Sequence, residues 1–595
     1  MGRERGEGRM AEDNGMPEAR VVRDWLDRFG AALGAGDAAA LAACFAADGH
    51  WRDVVGLGWR IASVSGAGAV AAALLPAATA RGAQGFALDP DRVPPRRVER
   101  AGTPCIEAIL RFDTAVGPGH GVLRLRQGQD EGASAAWTLM TGLADIAGHD
   151  EESVRLRREE PAFERDWHGP NWLDRRRAAA RYADREPAVL VVGGGHAGLT
   201  CAATLKALGV EALVVDRYER IGDNWRRRYH GLKLHNTLPS NHLPYLPFPR
   251  TWPNYIPKDK IADWLEFYAE AMEIDVWTRT GFEGAEQDAA SGRWTARLRL
   301  ADGSERVVRP RHIVMATSVS GTPKLPEIPT LDRFGGAVVH SSGFASGAAW
   351  RGRPVLVFGT GTSAHDIAQD LHGNGAQVTM VQRSPTLVVN VEPSAQLYDG
   401  IYSGPGPSQA DRDLLNQSFP LPVMKQAHRL LTDRARALDA ELLAGLERAG
   451  FRLEFGEDGT GWPLKYRTRG GGYYFNVGCS ELIVRGEIGL VQYADIEGFE
   501  AAGPRLKDGR LLPADLAVLA TGYQGHGHLL PALFGPAVAA RVGRVWGFDE
   551  NQELRNMWMR TPQRGLWFTG GSFSQCRMYS KPLALQILAE ELGLA

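Results

Sequence analysis

Apolar and polar positions recur with two periods along this chain, and each change of period marks a unit. In Val21–Phe29 the apolar residues Val22, Trp25, Leu26 and Phe29 fall on one helical face. After Gly36, Asp37 is positioned to cap a second helix, expected to run through Phe45. Ala67–Ala80 reads as an Ala-rich helix interrupted at Pro76. Cys105–Phe112, Gly121–Gln127 and Ala136–Asp145 then read as strands. Helices followed by antiparallel strands predict an α+β unit over 17–150. Charge dominates from Glu151 to Asp184, where Pro161 and Pro170 separate helical pieces. Residues 151–186 are expected to be a charged helical linker, with Trp167 and Trp172 docking it onto a domain surface. The run Arg175–Arg177 is expected to be a solvated helix face.

From residue 187 the pattern changes to short β-branched runs, each followed by a helix. Val189–Val192 breaks into Gly193, Gly195 and Gly198, an Ala-rich helix follows, and a second run, Ala212–Val215, ends on Asp216. Strand, glycine turn, helix, strand and acid form a dinucleotide-binding unit. The first glycine permits the tight turn, the second lets backbone approach a pyrophosphate, and the third lets helix pack on strand. The free N–H groups of the helix N-terminus suit the phosphates. Asp216 is placed to accept hydrogen bonds from a ribose diol, and Arg217 beside it joins the candidate contacts.

A second unit begins at Pro354, with Gly359, Gly361 and Ser363 in its turn, but its next strand ends in Arg383-Ser384. An acid at that place repels a 2′-phosphate, whereas Arg and Ser pair with it and hydrogen-bond to it. The first unit is therefore expected to bind FAD and the second NADPH. The fold class expected is α/β with two Rossmann-like domains.

A chain of 595 residues exceeds one ordinary domain, and a formal net charge of −2 argues against general electrostatic binding of nucleic acid. The five cysteines lie far apart without C-x-x-C or metal-ligand spacing, so no metal site is expected and a flavin disulfide reductase is disfavoured. No apolar run reaches the length of a membrane span. Residues 1–16 mix acids and bases, which predicts a disordered tail and not a signal peptide, and the scattered cysteines suit a reducing cytoplasm.

Further strings carry a family resemblance. They are GDNW (Gly222–Trp225), YHGLKLH (Tyr229–His235), the Pro-rich LPYLPFP and the helix start Pro257–Lys260. To these add FGGAVVHSSGF (Phe334–Phe344), ADLAVLATGY (Ala514–Tyr523) and GLWFTGGSF (Gly565–Phe573). From 187 to the end the chain resembles class B flavin monooxygenases, in particular the flavin-containing branch that includes plant YUCCA-type enzymes. Phe344-Ala345 stands where the Baeyer–Villiger branch has Trp followed by Pro or Asp, which favours the heteroatom-oxidising or YUCCA-type branch.

The resemblance implies an NADPH unit inserted in the FAD unit: 187–345 and 491–595 for FAD, and 346–490 for NADPH with a helical insert over the cleft. The insert itself is read from the residues, since Val389–Leu453 is largely amphipathic helix. The resemblance implies that Trp225 lies near the flavin, and that Thr521, Gly522 and Gly570 face cofactor. Ser318 stands in place of a crossover glycine. His340 is a candidate linking the cofactor domains, and either His235 or Asn236 is a candidate to support the oxygenated flavin. The implied reaction is reduction of FAD by NADPH, formation of a C4a-(hydro)peroxyflavin with O2, and insertion of one oxygen atom into a small organic substrate. That substrate is a nitrogen or sulfur nucleophile or an aromatic 2-oxo acid such as indole-3-pyruvate. The alternatives are a Baeyer–Villiger monooxygenase and an uncoupled NADPH oxidase or flavin reductase.

In the first unit FAADGHWRD (Phe45–Asp53), Gly66 and WTLMTGL (Trp137–Leu143) resemble the SnoaL-like (nuclear-transport-factor-like) cone, which implies a small α+β domain before the Rossmann-like pair. Such cones serve as enzymes, ligand pockets or dimerisation units, so a homodimer is one expectation. His50 and Asp53 are either an acid–base pair or structural, and the structural role is favoured.

Overall fold

The computed structural model describes residues 17–126, 133–157 and 168–595. The expectations for the 1–16 tail and for Trp167 lie outside the described residues.

Helices Pro17–Ala35, Ala38–Ala43 and Ala67–Arg81 back a seven-stranded sheet. Asp37 caps the second helix by accepting from the N–H groups of Ala39 and Ala40, but that helix stops at Ala43 and Phe45 opens a strand. Pro76 does not interrupt the third helix, whose Val70, Leu74 and Ala78 are buried on both sides of it. One strand pair, Phe45–Val54 with Ala135–Leu143, is parallel rather than antiparallel. The inner face is filled by the unit's own aromatic side chains, with Trp25 on Phe29 at 4.7 Å and Phe86 on Phe112 at 4.6 Å between ring centroids.

The outer face of this sheet is also covered. Val54, Ile109, Val122, Met140 and Leu143 belong to the same buried cluster as the strands of the following unit. Alternation in Leu123-Arg124-Leu125 therefore does not mean one face in water, because Arg124 is fully buried too.

The linker helix Trp172–Ala179 is fixed by a capping box at Asn171. Trp172 does not dock: it is 54% exposed. Arg176 makes the attachment instead, donating to the carbonyls of Glu273 and Ile274, so the arginine run is not wholly solvated. The reason is reach, since the guanidinium meets two carbonyls just beyond the C-terminus of helix Lys258–Ala271.

Two parallel five-stranded sheets follow. The first has the order Asp275–Trp277, Ala212–Val215, Val189–Val192, His312–Met315, Leu566–Phe568. The second has the order Ala337–His340, Leu516–Leu519, Pro354–Phe358, Gln377–Gln382, Gly489–Gln492. The second sheet is thus inserted in the first, which Leu566–Phe568 closes. Its extent differs from the expected 346–490, because Ala337–His340 and Leu516–Leu519 pair within it. Short apolar strands suit either sheet, so pairing alone decides the boundary. A helical insert, from Gln409–Gln417 to Gly461–Arg469, is bracketed by the parallel pair Leu387–Asn390 and Tyr473–Asn476. No helix among the described residues is long and apolar enough to cross a membrane.

Candidate active site

At the first glycine turn the protein's own packing explains two of the three glycines. Gly193 has φ of +112°, and a Cβ there would lie 2.6 Å from the Ala316 carbonyl oxygen. A Cβ on Gly198 would lie 1.9 Å from the Gly193 oxygen. Gly195, at the N-cap of helix His196–Ala207, is different: a Cβ would meet only the Asn224 amide at 3.2 Å, and its open side faces a cavity. Asp216 lines that cavity, accepting from Gly194 N–H at 2.6 Å and from Tyr218 N–H at 2.8 Å. Arg217 lies over the Tyr218 ring and donates to the Gly321 carbonyl at 3.2 Å.

The second turn repeats the pattern. Gly359 has φ of +115°, and a Cβ there would lie 2.4 Å from the Ala520 oxygen, while one on Gly361 would meet only the Tyr473 oxygen at 3.7 Å. Ser363 lies in the first turn of helix Thr362–Gly373, and Arg383 and Ser384 are exposed on the wall of the same cavity. Arg383 has no carboxylate within ion-pair distance among the described residues, and its carbonyl accepts from the Arg452 guanidinium.

Both turns open into one cavity of about 1540 Å³. A pocket for one drug-sized ligand is roughly 300–1,000 Å³, so this space suits more than one ligand at once. Trp225, Thr521, Gly522 and Gly570 are on its wall. Thr521 donates to the Lys324 carbonyl at 2.7 Å. Gly570 is crowded by His526, whose Nε2 would lie 2.9 Å from a Cβ. Ser318 takes the glycine-like φ of +71° and its Oγ accepts from Ser320 N–H at 3.1 Å, so the crossover keeps its shape without glycine.

His235 and Asn236 line the cavity together. Burial pushes the His235 imidazole down to about 4, which leaves it neutral at physiological pH. Asn236 donates its amide N–H to Asp399 at 2.6 Å, and burial raises the Asp399 carboxyl above its ordinary value. His340 is not on the cavity wall. Its Nδ1 accepts from Ser342 N–H, so the proton sits on Nε2, which donates to the Gly522 carbonyl at 3.1 Å. It ties an edge strand to the crossover. His50 and Asp53 do not pair either. His50 bonds Ser65, and Asp53 holds the N–H groups of Gly56, Leu57 and Gly58.

A family model described as pyridine nucleotide-disulphide oxidoreductase matches residues 190–399. Indole-3-pyruvate monooxygenase YUCCA1 of Oryza sativa subsp. japonica is 32% identical over 356 residues, 60% of this chain and 81% of the relative. The chain belongs to the class B flavin monooxygenase family. Probable indole-3-pyruvate monooxygenase YUCCA9 of Arabidopsis thaliana is 31% identical over 340 residues, 57% of this chain and 75% of the relative. The open crystal structure of a cyclohexanone monooxygenase shares the fold at 18% identity with a TM-score of 0.50, covering 68% of this chain and 88% of that one.

As a class B flavin monooxygenase the chain is an oxidoreductase that uses FAD and NADPH. Its five cysteines are unpaired buried thiols, so the disulphide part of the family description has no counterpart here. The residues fit both cofactors. Gly195 and Gly361 leave open the two cradles that a methyl group would fill. The buried indole N–H of Trp225 has no hydrogen-bond partner among the described residues, and Trp225 lines the cavity.

The wall also contains side chains that sequence reasoning did not single out. His196 stacks on Phe573 at 4.3 Å and donates from Nε2 to the Gly571 carbonyl, which fixes the start of the last helix beside the turn. Its signal was its position inside the glycine turn. From the segment Ala395–Tyr402, the insert and the strand after it come Tyr398, Phe419, Trp462 and Phe475, with Trp462 edge-on to Phe475 at 4.8 Å and the His235 ring 4.8 Å from Phe475. Nothing in the spacing of these aromatics marks them, since they meet only in three dimensions.

Proposed function

We propose that this NADPH-dependent FAD monooxygenase oxygenates an aromatic 2-oxo acid, releasing CO2 and the shortened aryl carboxylate. The balance is one 2-oxo acid, O2, NADPH and a proton giving carboxylate, CO2, NADP+ and water. The observation that carries the reading is the aromatic recess of Tyr398, Trp462 and Phe475 beside His235, in the same cavity as both glycine cradles. Flat rings stack in such a recess by offset and edge contacts. The names of the YUCCA relatives point to the same substrate class.

Bound FAD and NADPH supply the redox chemistry and the activation of oxygen. The chain's own part is to bind, orient and exclude water. Gly193, Gly195, Asp216, Arg217, Trp225 and Gly570 are read as the FAD contacts, with Gly198 letting the helix pack behind them. Gly359, Gly361, Ser363, Arg383 and Ser384 are read as the NADPH contacts, with Thr521 and Gly522 at the crossover between them. A neutral His235 shields the reacting face from bulk water, and Asn236, oriented by Asp399, presents a fixed amide. The N-terminal unit is read as a SnoaL-like cone whose interior is occupied by its own aromatic core, which makes it a scaffold rather than a second enzyme.

The test is turnover of purified holoenzyme with aryl 2-oxo acids, tertiary amines and sulfides, measuring NADPH, CO2 and hydrogen peroxide together. Equal CO2 and NADPH with little peroxide for the 2-oxo acid supports the reading. Coupled oxidation of only amines or sulfides overturns the substrate class, and peroxide equal to NADPH with every compound overturns coupled oxygenation. His235→Ala and Asn236→Ala are expected to raise the peroxide fraction, and two coupled variants would remove both from this role.

A further inference from the structure

Arg467, on helix Gly461–Arg469, lines the large cavity on one side and a cleft of about 30 Å³ on the other. It is half-buried, and its neighbours on the cavity wall include Phe419, Met424, His428 and Tyr466. The polar contact its guanidinium makes is to the Met424 thioether, a weak acceptor. No carboxylate lies within ion-pair distance of it among the described residues.

A carboxylate does line the same small cleft. Glu553 shares it with Arg467, but both Glu553 oxygens are taken by Arg52, at 2.8 and 2.7 Å, and Ser63 adds a third bond at 2.7 Å. Arg52 further donates to Tyr579 and to the Gln417 carbonyl. Two guanidinium groups thus face one carboxylate, and the N-terminal unit's arginine holds it. A half-buried guanidinium with no carboxylate at ion-pair distance is poorly compensated, and an anion that enters from the cavity relieves it. Burial also pushes the Arg467 guanidinium below its ordinary value, in keeping with this deficit.

We propose that Arg467 anchors the carboxylate of the substrate, and that Arg52 keeps it available by engaging Glu553. This rests on the 2-oxo acid reading and adds to it the residue that selects for the acid. It also gives the N-terminal unit a part in specificity, since it supplies Arg52 without contributing that side chain to the large cavity.

Phenylacetate and phenylacetamide, which differ in charge and hardly in shape, separate the possibilities when titrated into the holoenzyme and followed by the flavin absorbance difference. Wild type is expected to bind phenylacetate about 10–100-fold more tightly. Arg467→Met is expected to erase that preference while leaving phenylacetamide binding unchanged. Arg52→Met is expected to weaken phenylacetate alone, because freed Glu553 then pairs with Arg467. If Arg467→Met does not retain flavin, Arg467→Lys gives the same reading, with a weakened preference for phenylacetate expected. An undiminished preference in the Arg467 variant overturns the anchor and leaves the substrate class standing. Absence of any preference in wild type overturns both.

Discussion

At the scale of single residues the two glycine turns separate structural from binding demands. Gly198→Ala places a methyl 1.9 Å from a carbonyl oxygen, so backbone must move, and destabilisation of at least about 2 kcal/mol is expected in thermal unfolding. Gly195→Ala meets only the flexible end of Asn224 at 3.2 Å. It is expected to leave the apoprotein within about 0.5 kcal/mol of wild type and to weaken FAD roughly tenfold or more. Equal effects on stability would show that Gly195 serves packing and not a cofactor. Arg383 is an exposed cation on the cavity wall, so Arg383→Ala is expected to raise KM for NADPH about 10–100-fold and leave KM for NADH unchanged. A parallel rise for both nucleotides would remove the 2′-phosphate role.

At the scale of elements the main result is how the N-terminal sheet grips the insert. Arg124 donates to Glu107 at 2.9 Å, to Ser418 at 2.9 Å and to the Leu415 carbonyl at 3.1 Å, and its guanidinium lies 4.1 Å from the centre of the Phe419 ring. Phe419 in turn lines the cavity. Glu107 keeps Arg96 and Arg100 when Arg124 is removed, so Arg124→Ala is expected to cost about 2–4 kcal/mol rather than to unfold the unit. Faster cleavage near residues 403–421 in limited proteolysis and weaker substrate binding with unchanged NADPH binding are expected together. Unchanged proteolysis would mean that the insert holds its position alone. This grip was not legible in the sequence, and the glycine turns were, for one physical reason. A turn that needs positive φ and close approach writes its demand into consecutive residues, as at Gly193 and Gly359. Arg124 and Leu415 are far apart in the chain, and Leu-Arg-Leu reads as an ordinary half-exposed strand until a second surface covers it. The same non-local pairing hid the membership of Ala337–His340 and Leu516–Leu519 in the second sheet.

For the molecule as a whole, histidine burial sets the response to acid. His235, His365 and His526 are each pushed down to about 4, with burial as the main cause. His428 is pushed down to about 3 for the same reason. Their value in the unfolded chain is ordinary, near 6.5, so unfolding takes up protons between these limits. A depressed folded value contributes stability that is present above about pH 6.5 and lost as pH falls towards 4. Full loss is on the order of 3 kcal/mol for one such group, and these four belong to elements of both large units and of the insert. Tm of the holoenzyme is therefore expected to be flat from about pH 8 to 7 and to fall steeply between pH 6.5 and 4.5. His526 gives the sharpest check, being 3% exposed with neither ring nitrogen hydrogen-bonded among the described residues. His526→Phe should flatten the acid limb by about 3 kcal/mol at most, with the neutral plateau showing only the change in packing against Gly570. An acid limb of unchanged slope would assign the loss to other groups and leave His526 protonated or solvated in the folded protein.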